Sequence, residues 1–197
     1  MKVNIERAIK SISETIDFYQ PLYEGIVNSF QAGADNLNIR FEIQDDFVTG
    51  YSIEDNGEGF TNDNIDSFLT LWSDHKINQG ALGSGRILCL KVFDNILIDS
   101  QTKNFGQEQG QKVNIDFNRK FKANTIKDIA LKRNDSNRSY TKTKFKNINQ
   151  DYQEKQQTYI LEDIKNNIFL RLLPMFIHFN KKQRNFTIKI NGGVMAQ

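Results

Sequence analysis

An aspartate at the end of a β-leaning run, with two glycines after it, gives this chain its best-equipped stretch for holding a ligand: Glu54-Asp55-Asn56-Gly57-Glu58-Gly59-Phe60. Ahead of it, Val48-Thr49-Gly50-Tyr51-Ser52-Ile53 mixes apolar Val48, Tyr51 and Ile53 with polar residues and predicts a strand. Such a strand fixes the carboxylate, and the glycines let backbone come close to a flat or phosphorylated ligand. The same residues also suit a plain hairpin turn, because Asp-Asn-Gly is ordinary turn chemistry. Two further stretches decide between these readings.

The first is a helix. Pro21 suits the first turn of a helix running to about Ala32, with Gly33 as its stop. Leu22, Tyr23, Ile26, Val27 and Phe30 supply its packed side, while Glu24, Asn28 and Gln31 stand at i, i+4 and i+7 on a different stripe. A polar stripe is usually a solvated face. Here Gly25 sits beside the acid at a cost to the helix of ~1 kcal/mol against Ala, and a small residue there lets another backbone or a ligand approach.

The second is the glycine-rich segment from Ser73 to Arg86, which leads into a helix over Ile87, Leu88, Leu90, Lys91 and Val92. A loop entering a helix N-terminus is a natural anion cradle. It is not a P-loop, since Arg86 and Ile87 occupy the Lys and Ser/Thr positions. Leu88 at the third glycine position excludes the dinucleotide fingerprint. An EF-hand begun at Asp55 fails at Phe60, where glycine is required.

The elements that must position these residues follow from periodicity. Val3 to Lys10 suits a short amphipathic helix, and Leu37 to Ile43 alternates as a half-buried strand that turns at Gln44-Asp45-Asp46 into the strand before Asp55. Thr61 or Asn62 caps a helix through Ile65, Phe68, Leu69 and Trp72. Strands are predicted over Asn95–Ser100, Lys112–Phe117, Lys127–Arg133, Tyr140–Ile148 and Asn185–Ile190. Apolar residues three and four apart predict one long helix from Gln153 to about Phe179, kinked or interrupted at Pro174, with His178 in or beside the core. Asn191-Gly192-Gly193 reads as a turn, and residues 193–197 as the start of a linker to a further domain.

Composition limits the partners. The 197 residues suit one domain, and a net charge of +2 gives no polycation argument for nucleic acid. Ten basic residues between Arg119 and Lys146 face only two acids there. Such a run is mostly the wet face of a sheet, with DNA binding through 119–146 the minority reading. Cys89 is the single cysteine, which rules out an internal disulfide. No stretch approaches 18 continuous apolar residues and no signal peptide is evident, so no membrane partner and a cytoplasmic location are expected.

In order, Glu24-x-x-x-Asn28, Asp55-x-Gly57-x-Gly59 and Gly80-x-x-Gly83-x-Gly85 resemble the ATP-binding domain of the GHKL superfamily (gyrase B, heat-shock ninety chaperones, histidine kinases, MutL), the Bergerat fold. Gly83-Ser84-Gly85-Arg86 looks most like the lid of MutL-like and MORC-like bacterial ATPases. The resemblance implies an α+β two-layer sandwich over residues 1–192, a mostly antiparallel sheet with helices on one face, and a glycine-rich ATP lid. It also implies roles. Asp55 would accept from the adenine amino group and Gly59 would let the base lie on backbone. Asn28 would ligate Mg²⁺, and Glu24 would orient or deprotonate the attacking water. Amides of Gly80, Gly83, Ser84 and Gly85, with Lys76, would hold phosphates. Arg86 either joins them or points to solvent. Thr141 would match the late-strand threonine near the nucleotide, although Tyr140 stands where relatives carry Gly.

The implied function is an Mg²⁺-dependent ATPase acting as a nucleotide-driven conformational switch and ATP-dependent homodimer. Relatives complete the site with a lysine from a following domain, so slow turnover is expected of this chain alone. A module that binds ATP without hydrolysing it is the alternative. A histidine kinase is disfavoured, because neither His75 nor His178 precedes the Glu24 helix.

Overall fold

The computed structural model describes residues 5–11, 16–69, 85–104, 109–121, 130–134, 136–181, 185–191 and 193–196. Its elements in chain order are α1 (Ile5–Ser11), α2 (Gln20–Gln31), β1 (Asn36–Gln44), β2 (Phe47–Asp55), α3 (Asn62–Leu69), α4 (Gly85–Val92), β3 (Phe93–Gln101), β4 (Gly110–Asn118), β5 (Ala130–Asn134), β6 (Tyr140–Ile148), α5 (Gln150–Gln153), α6 (Leu161–Lys181), β7 (Thr187–Ile190) and β8 (Gly193–Ala196). Among the described residues the strands form one sheet in the order β5-β4-β3-β6-β2-β1-β7-β8. Every pairing is antiparallel except β1 with β7, so the sheet is mixed but mostly antiparallel.

Alternation decides which face is covered. Leu37, Ile39, Tyr51, Ile53, Ile96, Ile98, Val113, Ile115, Phe145, Ile188 and Ile190 are all buried, and they join one core with Leu22, Ile26 and Phe30 of α2 and Ile87 and Leu90 of α4. On α6 the stripe Ile164, Ile168, Leu172 and Phe176 turns inward. Each such side chain contributes about 1.5–3 kcal/mol by leaving water, which is why the helices lie on one face. The other face carries Glu54, Asp99, Lys112 and Lys142, bridged as Lys142–Glu54 at 2.9 Å and Lys112–Asp99 at 3.6 Å.

Local chemistry sets the boundaries. Asp45 and Asp46, at φ 49° and 65°, make the two-residue turn between β1 and β2. Gly33, at φ 81°, follows α2, and the Thr61 hydroxyl accepts from Asn64 N at 3.2 Å to cap α3.

The structure differs from the periodicity reading in four places. The long helix starts at Leu161, because Val48 N and Tyr159 N bond to Gln157 O and Asp46 O, pinning residues 157–159 along the β1–β2 hairpin. Ahead of that segment Asn149 caps the short α5. Pro174 is exposed and α6 continues past it without interruption. His178 is exposed, two residues beyond the inward Phe176. Beyond the turn at Asn191, Gly193–Ala196 pair with β7 as an edge strand where the sequence reads as turn and linker.

Candidate functional site

Helix α2 presents Glu24 half-buried and Asn28 exposed, one turn apart. Arg171 donates to the Gln20 side chain at 3.0 Å, and Gln20 Nε2 donates in turn to Glu24 Oε1 at 3.1 Å. Gly25 faces the sheet: a Cβ there would collide with Ile53 Cδ1. Its smallness seats α2 close on β2, so the approach it permits is that of the core. Behind Glu24 lies Cys89, whose thiol is pushed up by burial and then by the Glu24 charge, which leaves it inert.

Asp55 ends β2 at an inward position after Tyr51 and Ile53, and is only 7% exposed. Gly57 N donates to Oδ1 at 2.9 Å and Ser29 Oγ to Oδ2 at 2.8 Å. Burial raises the carboxyl above its ordinary value of 3.8, those two hydrogen bonds pull it down, and the Glu54 charge adds a smaller upward push.

The loop after Asp55 is locked to its surroundings. The Asn56 side chain accepts from Asp35 N and Asn36 N at 3.1 and 2.9 Å, and Glu58 N donates to Ala32 O at 2.9 Å. A Cβ on Gly57 would lie 2.8 Å from Ala32 O. Gly59 combines φ 81° with a backbone neighbour, the Gln101 carbonyl carbon, 2.8 Å from where a Cβ would stand.

Thr141 lies directly across from Asp55 in the β2–β6 ladder and directly across from Ser100 in the β3–β6 ladder. Asp55, Thr141 and Ser100 thus form a polar row at one end of the inward face. Gly85 opens α4 beside Glu24, and Ser29 of the same helix bonds to Asp55, so α2 joins the Asp55 loop and the first residue of α4 on the helix-covered face. Arg86 does not point to solvent. Its Nη1 donates to Ser67 O at 3.0 Å and its guanidinium lies 5.3 Å over the Phe68 ring, while burial lowers its pKa to about 10. Lys76, Gly80, Gly83 and Ser84 lie outside the described residues, as do His75 and Trp72.

Within the basic run, residues 122 and 127 are also outside the described set, while Arg119 pairs with Asp94 at 3.7 Å and Lys142 with Glu54 at 2.9 Å. Lys142 and Lys144 line a cavity of about 390 Å³ on the open sheet face with Leu97, Asp99, Asn114 and Asp116. That cavity is on the far side of the sheet from Asp55.

Residues 16–154 match the family model described as histidine kinase-, DNA gyrase B-, and HSP90-like ATPase. The chain belongs to this ATPase family. Its fold is similar to the crystal structure of the ATPase region of Saccharomyces cerevisiae topoisomerase II, with TM-score 0.54 and 14% identity over 90% of this chain and 47% of that one. The same region bound to ICRF-187 (dexrazoxane) gives TM-score 0.56 and 13% identity over 89% and 48%. This chain therefore spans about half the length of those structures. No curated protein matches the sequence. At these identities the likeness shows the fold, and that fold is the Bergerat arrangement the three motifs implied.

Ser29 and Ser100 are the site's polar groups that motif spacing does not reveal. Ser29 immediately follows Asn28, and nothing local marks it as the partner of Asp55. Ser100 carried a signal, being the polar member of the inward series Ile96, Ile98, Ser100. No helix among the described residues is long and apolar enough to cross a membrane.

Proposed function

We propose that this domain binds ATP with magnesium between α2, the Asp55–Gly59 loop and the start of α4, hydrolyses it slowly, and uses the nucleotide as a conformational and dimerisation switch within a larger protein. The observation that carries this reading is Asp55. A carboxylate buried at the end of β2 still has acceptor capacity after taking bonds from Gly57 N and Ser29 Oγ. A buried acceptor held in one place by two donors suits recognition of a single N–H on a flat base, and the adenine amino group offers one.

Glu24, tethered by Gln20 beside the start of α4, would orient the attacking water and take its proton. Asn28 is exposed one turn away and offers a neutral amide oxygen. Such a hard oxygen donor fits magnesium, which keeps several waters and relies on phosphate oxygens rather than a protein cage. Asn28 would hold it, and its chemistry there would be neutralisation of phosphate charge. The backbone amide of Gly85, with those of Gly80, Gly83 and Ser84 and the Lys76 ammonium, would hold the β- and γ-phosphates.

Calorimetry with a non-hydrolysable ATP analogue tests the assignment. Asp55→Asn should lose binding, while Glu24→Ala should keep binding and abolish phosphate release. Equal phosphate release by wild type and Glu24→Ala would refute the role of Glu24. Binding by wild type without any phosphate release would favour the nucleotide-gated module instead.

A further inference from the structure

Ser100 is fully buried at the inward end of β3, and its hydroxyl gathers three neighbours. Phe60 N donates to it at 2.9 Å, Tyr140 O lies at 3.0 Å, and Thr141 Oγ1 at 2.9 Å. A serine hydroxyl has one hydrogen and two lone pairs. Phe60 N–H takes one lone pair. If Ser100 gave its hydrogen to Thr141, its bond to the Tyr140 carbonyl would be lost. If Ser100 donates to Tyr140 O and accepts from Thr141, all four groups are satisfied, which is the arrangement a dry interior favours.

From this network we infer that Ser100 is a positioning residue that sets base specificity, by fixing the direction in which the Thr141 hydroxyl points its hydrogen. The inference rests on the reading of Asp55 as the residue that meets the base. With its hydrogen committed to Ser100, Thr141 presents only lone pairs toward Asp55, its direct neighbour across the β2–β6 ladder. Side chains directly opposite in such a ladder have Cβ atoms about 4.5–5.5 Å apart. Two acceptors therefore stand side by side. A 6-aminopurine, alone or through a water donating both hydrogens, supplies what they need. A 6-oxopurine seated the same way puts O6, a third acceptor, where the amino group would stand, and its N1–H reaches the pair only if the base shifts along its edge, so it binds more weakly.

Ser100 also ties specificity to the loop. Phe60 is held at both ends of its peptide, N–H by Ser100 and carbonyl by Gln111 Nε2 at 2.7 Å. The hydroxyl that orients Thr141 thus also anchors the segment just after Gly59.

The test compares affinities for non-hydrolysable analogues of ATP and GTP, measured by calorimetry on the same protein samples. Wild type should prefer the ATP analogue. In Ser100→Ala the Thr141 hydroxyl is free to rotate and donate, so the ATP-to-GTP preference should narrow by on the order of tenfold, the value of roughly one hydrogen bond. A loss of folded fraction lowers both affinities together and leaves their ratio unmoved, so a merely structural role would not give this result. In a Thr141→Val background, Ser100→Ala should change the ratio no further, and Thr141→Ser should keep the wild-type ratio. Should Ser100→Ala not fold, Ser100→Cys keeps the side-chain shape with a slightly larger and weaker hydrogen-bonding atom and should narrow the ratio in the same direction. An unchanged ratio in the Ser100 variants, or the same narrowing with and without Thr141, overturns the inference and leaves the adenine reading standing. Wild type that binds neither analogue removes the adenine reading itself and this one with it.

Discussion

Glu24 of α2 and Gly85 of α4 meet so closely that a Cβ on Gly85 would lie 2.7 Å from Glu24 Oε2. The glycine that opens α4 is therefore also the wall against which the carboxylate rests. Gly85→Ala should push that carboxylate aside while leaving the fold nearly intact, because the displaced atoms are the far end of a flexible side chain. The expected outcome is a marked fall in phosphate release with little change in Tm and retained binding of a non-hydrolysable ATP analogue. A variant that hydrolyses ATP like wild type would show that the position of Glu24 does not matter.

The buried Asp55 makes the domain sensitive to acid in two opposite ways. Its carboxyl keeps a proton to higher pH in the folded chain than at the ordinary value of 3.8, chiefly through burial. Between 3.8 and the raised value the folded state binds more protons than the unfolded state, so this group's contribution to stability falls as pH rises through that window. Nucleotide binding should run the other way, since the ionised form is the better acceptor. Binding of an ATP analogue should fail on acidification while the pH is still above the normal aspartate range. Ser29→Ala removes a hydrogen bond that lowers this pKa, so it should move the binding midpoint to higher pH. Calorimetric titrations across the acid range would reveal an unmoved midpoint if Ser29 plays no such part.

Gly59 and Gly33 share φ 81°, yet their replacements should differ. Gly33 is exposed, so Gly33→Ala should cost only the backbone penalty of about 1–2 kcal/mol. Gly59→Ala adds a collision with the Gln101 carbonyl, whose backbone belongs to β3 and cannot give way. It should destabilise the domain by clearly more than Gly33→Ala in urea unfolding, and abolish analogue binding where Gly33→Ala does not.

Local periodicity made much of this fold legible, and its failures have physical causes. Strict alternation made β1 and β6 readable, and Pro21 with Gly33 bracketed α2 correctly. Backbone bonds from Val48 and Tyr159 to distant partners hold residues 157–159 away from α6, and no local propensity records that competition. The site divides the same way. Asp55 was visible because it is a carboxylate before paired glycines, whereas its hydrogen bond to Ser29 joins residues 26 apart in sequence. The Ser100–Thr141 contact spans 41 residues and depends on β3 and β6 being neighbours, which strand order alone decides. Gly25 was recognised as a point of close approach, but what approaches it is the core.

That last point can be measured. Gly25→Ala gains about 1 kcal/mol of helix propensity, but its new methyl collides with Ile53 Cδ1 in a close-packed interior. Overpacking of this kind costs about 1–3 kcal/mol, so the net change should be a loss, seen as a lower urea midpoint with unchanged m-value. The conflict is with one methyl, since Ile53 Cγ1 and Phe145 Cζ stand at ordinary distances of 3.7 and 3.8 Å from the added atom. Ile53→Val removes that methyl at a cost of about 0.5–1.5 kcal/mol. In the Ile53→Val background Gly25→Ala should therefore become stabilising, reversing its sign. If the two substitutions simply add, α2 does not rest on β2 through this glycine.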